Sequence, residues 1–325
     1  MARRPQSRGG TVTAFKVLVT APRAVAAITR YEDALVPAGC EVVSRQAVER
    51  LSETELLPIV ADVDGIICGD DQISSRVLDA APRLRIICKW GTGVDSIDLE
   101  YARSRSIVVC NSPGAFSDPV ADTVMGYVLL FCRQLDGMAA DMRAGHWRRR
   151  PLLSLSERTI GIVGLGQIGS AVARRAAAFG TRILATSIGE RAPEATPSEL
   201  EIVPLDLLLA DSDFVTLHAD LRKNNRHLIG ARELAQMKST AVLINTARGA
   251  LVDESALVSA LQNGRLAGAA LDVFEQEPLA QDSPLRTMPN VYLAPHNANA
   301  SARAAERVHA NCIRSILQAL RPVDQ

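Results

Sequence analysis

Hydrophobic positions along the chain fall into short β-branched runs separated by longer segments of mixed polarity. The run Phe15-Lys16-Val17-Leu18-Val19-Thr20 opens this pattern, and others predict strands over 41–44, 63–68, 84–89 and 107–111. Between them, Glu53 to Val60 and Ser74 to Ala80 suit short helices, the second ended by Pro82. Strand and helix in turn predict a parallel sheet covered on both faces. A longer helix is predicted from Asp118 to Gln134, with Pro119 in its first turn and Val120, Val124, Tyr127, Val128 and Phe131 on one side. A second series starts at Thr159, with strands expected over 159–163, 182–186, 214–218, 241–245, 268–273 and 291–293. The last segment, Ser301 to Leu320, carries Ala305, Val308, Cys312, Ile316 and Leu320 at helical spacing and is expected to pack back on the first series.

The second series opens with Gly164-Leu165-Gly166-Gln167-Ile168-Gly169, which follows a β-branched run and precedes an alanine-rich helical segment stopped by Gly180. Such a turn needs Gly164 for its backbone angles, Gly166 so that a pyrophosphate can approach, and Gly169 for close packing of helix on strand. The anion would sit on the N–H groups of the helix start. With six strands in the series, the count expected of a doubly wound dinucleotide domain, a dinucleotide site is expected here.

Composition narrows the alternatives. Lys plus Arg equals Asp plus Glu, 36 each, which argues against nucleic acid or an anionic membrane as partner. Six cysteines stand singly, with no CxxC pair and no metal-like Cys/His spacing, so no metal is expected and a reducing cytoplasm is. Arg3-Arg4 is followed by polar, glycine-rich sequence rather than an apolar signal segment, and residues 1 to about 13 are expected to be a disordered start. No run approaches the roughly 20 apolar residues of a membrane span. The basic stretch Gly145 to Pro151 is read as a solvated connector.

Four further stretches, with the glycine turn, occur in the order and at distances that resemble the D-isomer-specific 2-hydroxyacid dehydrogenases, with the phosphoglycerate-dehydrogenase-like branch nearest. They are Lys89-Trp90-Gly91-Thr92-Gly93-Val94-Asp95-Ser96-Ile97-Asp98, Asn245-Thr246-Ala247-Arg248-Gly249, Leu271-Asp272-Val273-Phe274-Glu275-Gln276-Glu277-Pro278 and Ala294-Pro295-His296. The resemblance covers nearly the whole chain from about residue 15. It implies an α/β protein of two doubly wound parallel-sheet domains, a Rossmann-type cofactor domain (113–296) inserted in a flavodoxin-like substrate domain (1–112 and 297–325). It also implies a homodimer acting on a small 2-hydroxy or 2-keto acid, phosphoglycerate-like or a phosphonate analogue among them.

Moving a hydride to or from a secondary alcohol carbon requires a group that handles the hydroxyl proton, and histidine titrates in the working range. His296 is the candidate acid/base, whereas His146, His227 and His309 are read as structural. The resemblance gives Glu277 as its partner, although Glu275 is an equally acidic neighbour in sequence. Arg248 would grip the substrate carboxylate with its planar fork and polarise the keto oxygen. Gly91, Thr92 and Gly93 would offer backbone N–H groups to the same carboxylate. For the cofactor, NAD or NADP, the resemblance implies Gly164, Gly166, Gln167, Ile168, Gly169, Ser187, His218, Thr246, Ala247 and Asp272, the last for the nicotinamide amide, with a structural capping role as its alternative.

The sequence departs from the family pattern where an acidic residue commonly ends the second cofactor-domain strand. Ser187 stands there, with Glu190 and Arg191 close behind, so the repulsion of a 2′-phosphate is missing and NADP is slightly favoured. Asp122 replaces a more usual glutamate and is expected at the domain junction. With the chain ending at Gln325, no appended regulatory domain or serine feedback is expected. Two other readings compete: a dehydrogenase of another donor, such as formate or phosphite, and a nucleotide-sensing corepressor. The corepressor reading predicts loss of a member of the Arg/Glu/His set, and here all three are present.

Overall fold

A computed structural model describes residues 15–187, 197 and 200–321. The expected disordered start, and Glu190 and Arg191, lie outside the described residues. The chain forms two compact units, Met1–Ala115 with Arg303–Gln325, and Phe116–Ala302.

In the first unit, strands β1 (Phe15–Val19), β2 (Cys40–Ser44), β3 (Gly65–Cys68), β4 (Ile86–Lys89) and β5 (Val108–Cys110) form one parallel sheet in the order β2-β1-β3-β4-β5. The β3 and β4 runs are buried at every position, as near-continuous apolar strands covered on both faces must be. The helix Ala302–Ala319 closes this unit, burying Val308, Cys312 and Ile316 completely. It packs so closely that a Cβ on Gly65 would stand 3.1 Å from Ile316 Cδ1. A buried carboxylate fixes the turn after β3. Asp71 Oδ2 accepts from Thr20 Oγ1 at 2.6 Å and from the Gly69 N–H, while Oδ1 accepts from the Leu51 N–H.

The second unit holds a seven-stranded parallel sheet. Its strands are β6 (Thr159–Val163), β7 (Arg182–Thr186), β8 (Leu200–Ile202), β9 (Phe214–Leu217), β10 (Val242–Asn245), β11 (Gly268–Leu271) and β12 (Val291–Leu293). Their order is β12-β11-β10-β9-β6-β7-β8, so winding reverses between β6 and β9, where this class of sheet collects its ligand. Six strands are predicted in this series from the sequence; the structure adds β8, a three-residue edge strand with two exposed positions. The predicted 118–134 helix runs from Ser117 to Arg133. It breaks at Gln134, in the left-handed region at φ 46°, and a second helix, Leu135–Arg143, follows with no buried residue.

Asp122, expected at the domain junction, has its partner within the second unit. Its carboxylate accepts from Arg175 Nε at 2.7 Å, and Asp118 binds the same guanidinium, so both tie the helix Ser117–Arg133 to the helix Gln167–Ala178 inside one unit. The basic connector is likewise paired, with Arg150 Nη2 2.6 Å from Asp141. Among the described residues, no helix is long and apolar enough to cross a membrane, and all six cysteines are free thiols.

Candidate active site

Because all strands of the second sheet are parallel, the loops after β6, β9, β10, β11 and β12 emerge at one edge. That edge carries most of the residues singled out in the sequence. After β6, Gly164 has φ 98°, and a Cβ there would stand 2.7 Å from the Ala219 nitrogen, so glycine is required twice over. A Cβ on Gly169 would lie 2.2 Å from the Gly164 carbonyl oxygen, whereas one on Gly166 meets nothing within 4 Å. The helix Gln167–Ala178 starts here, which leaves the N–H groups of Gln167 and Ile168 without an intrahelical acceptor. Ser187 directly follows β7 and is exposed.

Two enclosed polar atoms at this edge have no partner among the described residues: His218 Nδ1, after β9, and Thr246 Oγ1, after β10. The other ring nitrogen of His218 is 2.9 Å from Thr216 Oγ1, and burial pushes its pKa down to about 3, so the ring is neutral at physiological pH. Orphaned buried polar atoms are uncommon and point to an absent ligand. Together with the open face at Gly166 and the helix start, they fit a dinucleotide.

The loop after β10 is shaped by Asn245, whose side chain accepts from the Ala247 N–H at 3.1 Å and donates to the Arg248 carbonyl at 2.8 Å. Arg248 itself is half-buried and donates from Nη1 to the Ala247 carbonyl. The next residue must be glycine: a Cβ on Gly249 would lie 1.9 Å from the Phe274 carbonyl carbon and 2.5 Å from the Glu275 nitrogen. This contact presses the arginine loop against the segment after β11 that carries Glu277.

Glu277 faces His296. Its Oε2 lies 3.1 Å from His296 Nδ1, while Oε1 accepts from the Phe274 N–H at 3.0 Å. Both side chains are largely buried, at 19% and 15% exposed. Glu275, equally acidic in sequence, turns elsewhere: it lies 2.9 Å from Arg226 Nη2 and 3.1 Å from His227 Nε2, and accepts from the Glu254 N–H. His296 has φ 47°, a left-handed conformation uncommon outside glycine and typical of residues whose surroundings over-determine them.

Asp272 is what over-determines it. The Asp272 carbonyl accepts from the His296 N–H at 2.8 Å, Oδ1 from Asn297 N at 2.8 Å and Oδ2 from Ala298 N at 2.9 Å. Burial pushes the Asp272 carboxyl pKa up, partly offset by those two N–H groups. The structure therefore places Asp272 on the histidine loop, a holding role that a family motif cannot distinguish from cofactor contact. The parts played by Asn245 and by the Phe274 N–H were missed in the sequence; they are tertiary contacts of short polar groups without a pattern.

The remaining predicted residues lie in the first unit, on the loop after β4. Gly91 N–H donates to the Lys89 carbonyl, the Gly91 carbonyl accepts from Ser112 N, and the Thr92 carbonyl accepts from Asn111 Nδ2 at 2.5 Å. With the Gly91 and Thr92 carbonyls taken, the loop keeps the N–H groups of Thr92 and Gly93 without a partner among the described residues, an arrangement suited to an anion. Asn311 on the closing helix supports it by donating to the Asn111 carbonyl and Ser112 Oγ, both at 3.0 Å. His309 accepts from Trp90 Nε1 at 3.1 Å.

Residues 125–298 match the model of the D-isomer specific 2-hydroxyacid dehydrogenase NAD binding domain. A glyoxylate reductase of Korarchaeum cryptofilum is 42% identical over 81% of this chain and 82% of its own. A D-3-phosphoglycerate dehydrogenase of Methanocaldococcus jannaschii is 36% identical over 93% of this chain and 57% of its own. Among solved structures, an NADPH-dependent glyoxylate/hydroxypyruvate reductase of Sinorhizobium meliloti, in complex with NADP and malonate, superposes with a TM-score of 0.77 at 33% identity, over 95% of this chain and 96% of that one.

Replacing Gly249 by alanine forces backbone against backbone, so Gly249→Ala should lower stability by about 3 kcal/mol. Urea unfolding monitored by circular dichroism measures this, and a midpoint equal to the parent's would mean that the two loops are not pressed together. On these matches and this geometry, the chain belongs to the D-isomer-specific 2-hydroxyacid dehydrogenase family and carries a site for a nicotinamide dinucleotide.

Proposed function

We propose that the protein reduces a short 2-keto acid of the glyoxylate or hydroxypyruvate type to the corresponding D-2-hydroxy acid, reversibly. In this reading Phe116–Ala302 is the cofactor domain, and Met1–Ala115 with Arg303–Gln325 the substrate domain. The observation that carries it is the His296–Glu277 pair at 3.1 Å, held on the strand-end edge that also presents Arg248 and the glycine turn. A bound nicotinamide dinucleotide supplies the hydride for C2. His296, its Nδ1 committed to Glu277, gives a proton from Nε2 to the developing alkoxide. The Glu277 carboxylate favours the imidazolium that makes this possible, and its bond from Phe274 N keeps it aimed at the ring. Arg248 holds the substrate carboxylate and stabilises negative charge on the keto oxygen; Thr92 and Gly93 add backbone donors to the carboxylate.

Glyoxylate, hydroxypyruvate and pyruvate reduction, followed by NADH and NADPH oxidation, tests the reading directly. His296→Ala should lower kcat by roughly 10²- to 10⁴-fold while cofactor binding persists. Glu277→Gln removes the charge that favours imidazolium, so in the oxidation direction, where a neutral histidine accepts the proton, the acidic limb of the pH profile should move to lower pH. An unmoved limb, measured where chemistry limits the rate, would count against the pairing.

We propose NADP as the preferred cofactor, because Ser187 directly follows β7, where an acidic side chain would repel a 2′-phosphate. Ser187→Asp should therefore lower the ratio of kcat/KM with NADPH to that with NADH. An unchanged ratio places Ser187 away from the ribose.

We also propose a homodimer that covers the helix Leu135–Arg143 and the stretch after it. Leu135, Met142, Trp147 and Leu153 are exposed there, Trp147 at 78%, an apolar concentration that a monomer seldom leaves in water. Light scattering should give twice the chain mass, and Trp147→Glu should shift it towards the monomer; a monomeric parent protein rules this out.

A further inference from the structure

The order β2-β1-β3-β4-β5 reverses its winding between β1 and β3, and open parallel sheets take their ligands in the crevice beyond the carboxyl ends of the strands at such a point. The turns after β1 and β3 meet closely there: a Cβ on Gly69 would lie 3.3 Å from Pro22 Cδ and 3.4 Å from Ala21 Cα. Asp70 is the next residue, and its Oδ1 accepts from Lys89 Nζ at 2.7 Å. Lys89 ends β4 with its side chain only 3% exposed, and its stem runs along Gly91, with Cε 3.2 Å from where a Cβ would stand. A carboxylate oxygen of Glu49 lies within 4.8 Å of one of Asp70. Arg23, 5.7 Å over the Trp90 ring, and Lys89 are the cations here, against the carboxylates of Asp70, Glu49 and the buried Asp71.

A buried lysine beside an anion-binding loop would attract a second anionic group on the substrate, unless something cancels it. Asp70 does so at hydrogen-bond distance, in surroundings where charges are weakly screened. A phosphate monoester brings roughly 1.5 to 2 negative charges at pH 7, for which this edge offers no excess positive charge. We propose that Asp70, acting through its ion pair with Lys89, is a specificity-determining residue. It excludes 2-keto acids with a phosphorylated tail and leaves the site to those whose one charge is the carboxylate. This rests on the 2-keto acid reductase reading above. Discrimination here works through a repulsive element as much as through an attractive one.

Hydroxypyruvate and phosphohydroxypyruvate differ only in the phosphate, so the ratio of their kcat/KM values isolates this effect. The parent protein should favour hydroxypyruvate by at least about tenfold. Asp70→Asn keeps a hydrogen-bond acceptor for Lys89 but removes the cancelling charge. It should raise the phosphorylated-to-unphosphorylated ratio by about tenfold or more, roughly the effect of one close charge. Lys89→Met should lower the ratio instead. If Asp70→Asn does not fold, as judged by its circular dichroism melt, Glu49→Gln provides the same comparison with the neighbouring carboxylate. A ratio unmoved by the folded variants, or a parent protein preferring the phosphorylated acid, overturns the role of Asp70 while leaving the reductase reading intact. A parent protein that reduces no 2-keto acid with either cofactor removes the reductase reading, and this inference with it.

Discussion

The loops of the second unit that carry the acid/base pair and the arginine converge on one residue, Asp272. Its N–H donates to the Asn245 carbonyl at the end of β10, its carbonyl accepts from His296, and its two carboxylate oxygens take the next two N–H groups. Asn245 in turn shapes the turn that presents Arg248. One buried residue, with two hydrogen bonds at its main chain and two at its carboxylate, thus ties these loops together. This explains how His296 persists at φ 47°: the cost of an unfavourable conformation, about 1–3 kcal/mol, is offset by bonds that form only there. Catalytic geometry of this kind tolerates little slack, and rigid strand ends supply the frame.

The parts of this arrangement visible in the sequence were those with a periodicity or a required residue type. Eleven of the twelve strands are β-branched or alanine-rich runs bounded by polar turns. The glycine turn announces itself because close approach at Gly164 and Gly169 admits nothing larger. The strand Leu200–Ile202 has three residues and no alternation to detect. The helix Leu135–Arg143 lacks a buried stripe, so its pattern resembles a polar connector. His296 and Arg248 are conspicuous on strand ends within matching motifs. Which of Glu275 and Glu277 meets the histidine depends on which way each carboxylate turns, and that is decided by Arg226, His227 and Glu254. Asp122 illustrates the same limit, because its partner Arg175 lies 53 positions away.

Charge is distributed differently in the two units. Around the glycine turn of the second unit, the enclosed His218 is kept neutral by burial, so this turn, unlike the Arg248 loop on the same edge, relies on backbone N–H groups and the helix start to meet an anion. In the first unit, charged side chains do appear at the corresponding edge, but they are paired: Lys89 with Asp70, and Asp71 with backbone and hydroxyl donors. Backbone donors leave no charge behind when a ligand departs, whereas paired side chains set a fixed field that any ligand must match. The first arrangement suits a diphosphate common to many enzymes, and the second suits selection among small acids.

The helix Ala302–Ala319 belongs to the unit whose strands are all made within the first 110 residues. Until Val308, Cys312 and Ile316 arrive, the face of β3 at Gly65 lies uncovered, and Asn311 and His309 are not there to brace the turns at Asn111 and Trp90. The intervening unit, by contrast, is continuous in sequence and can complete its sheet from what has already emerged. On the ribosome, the strands of the first unit therefore wait for a helix made only after the whole intervening unit, and the face it will cover stays open to chaperones in the meantime.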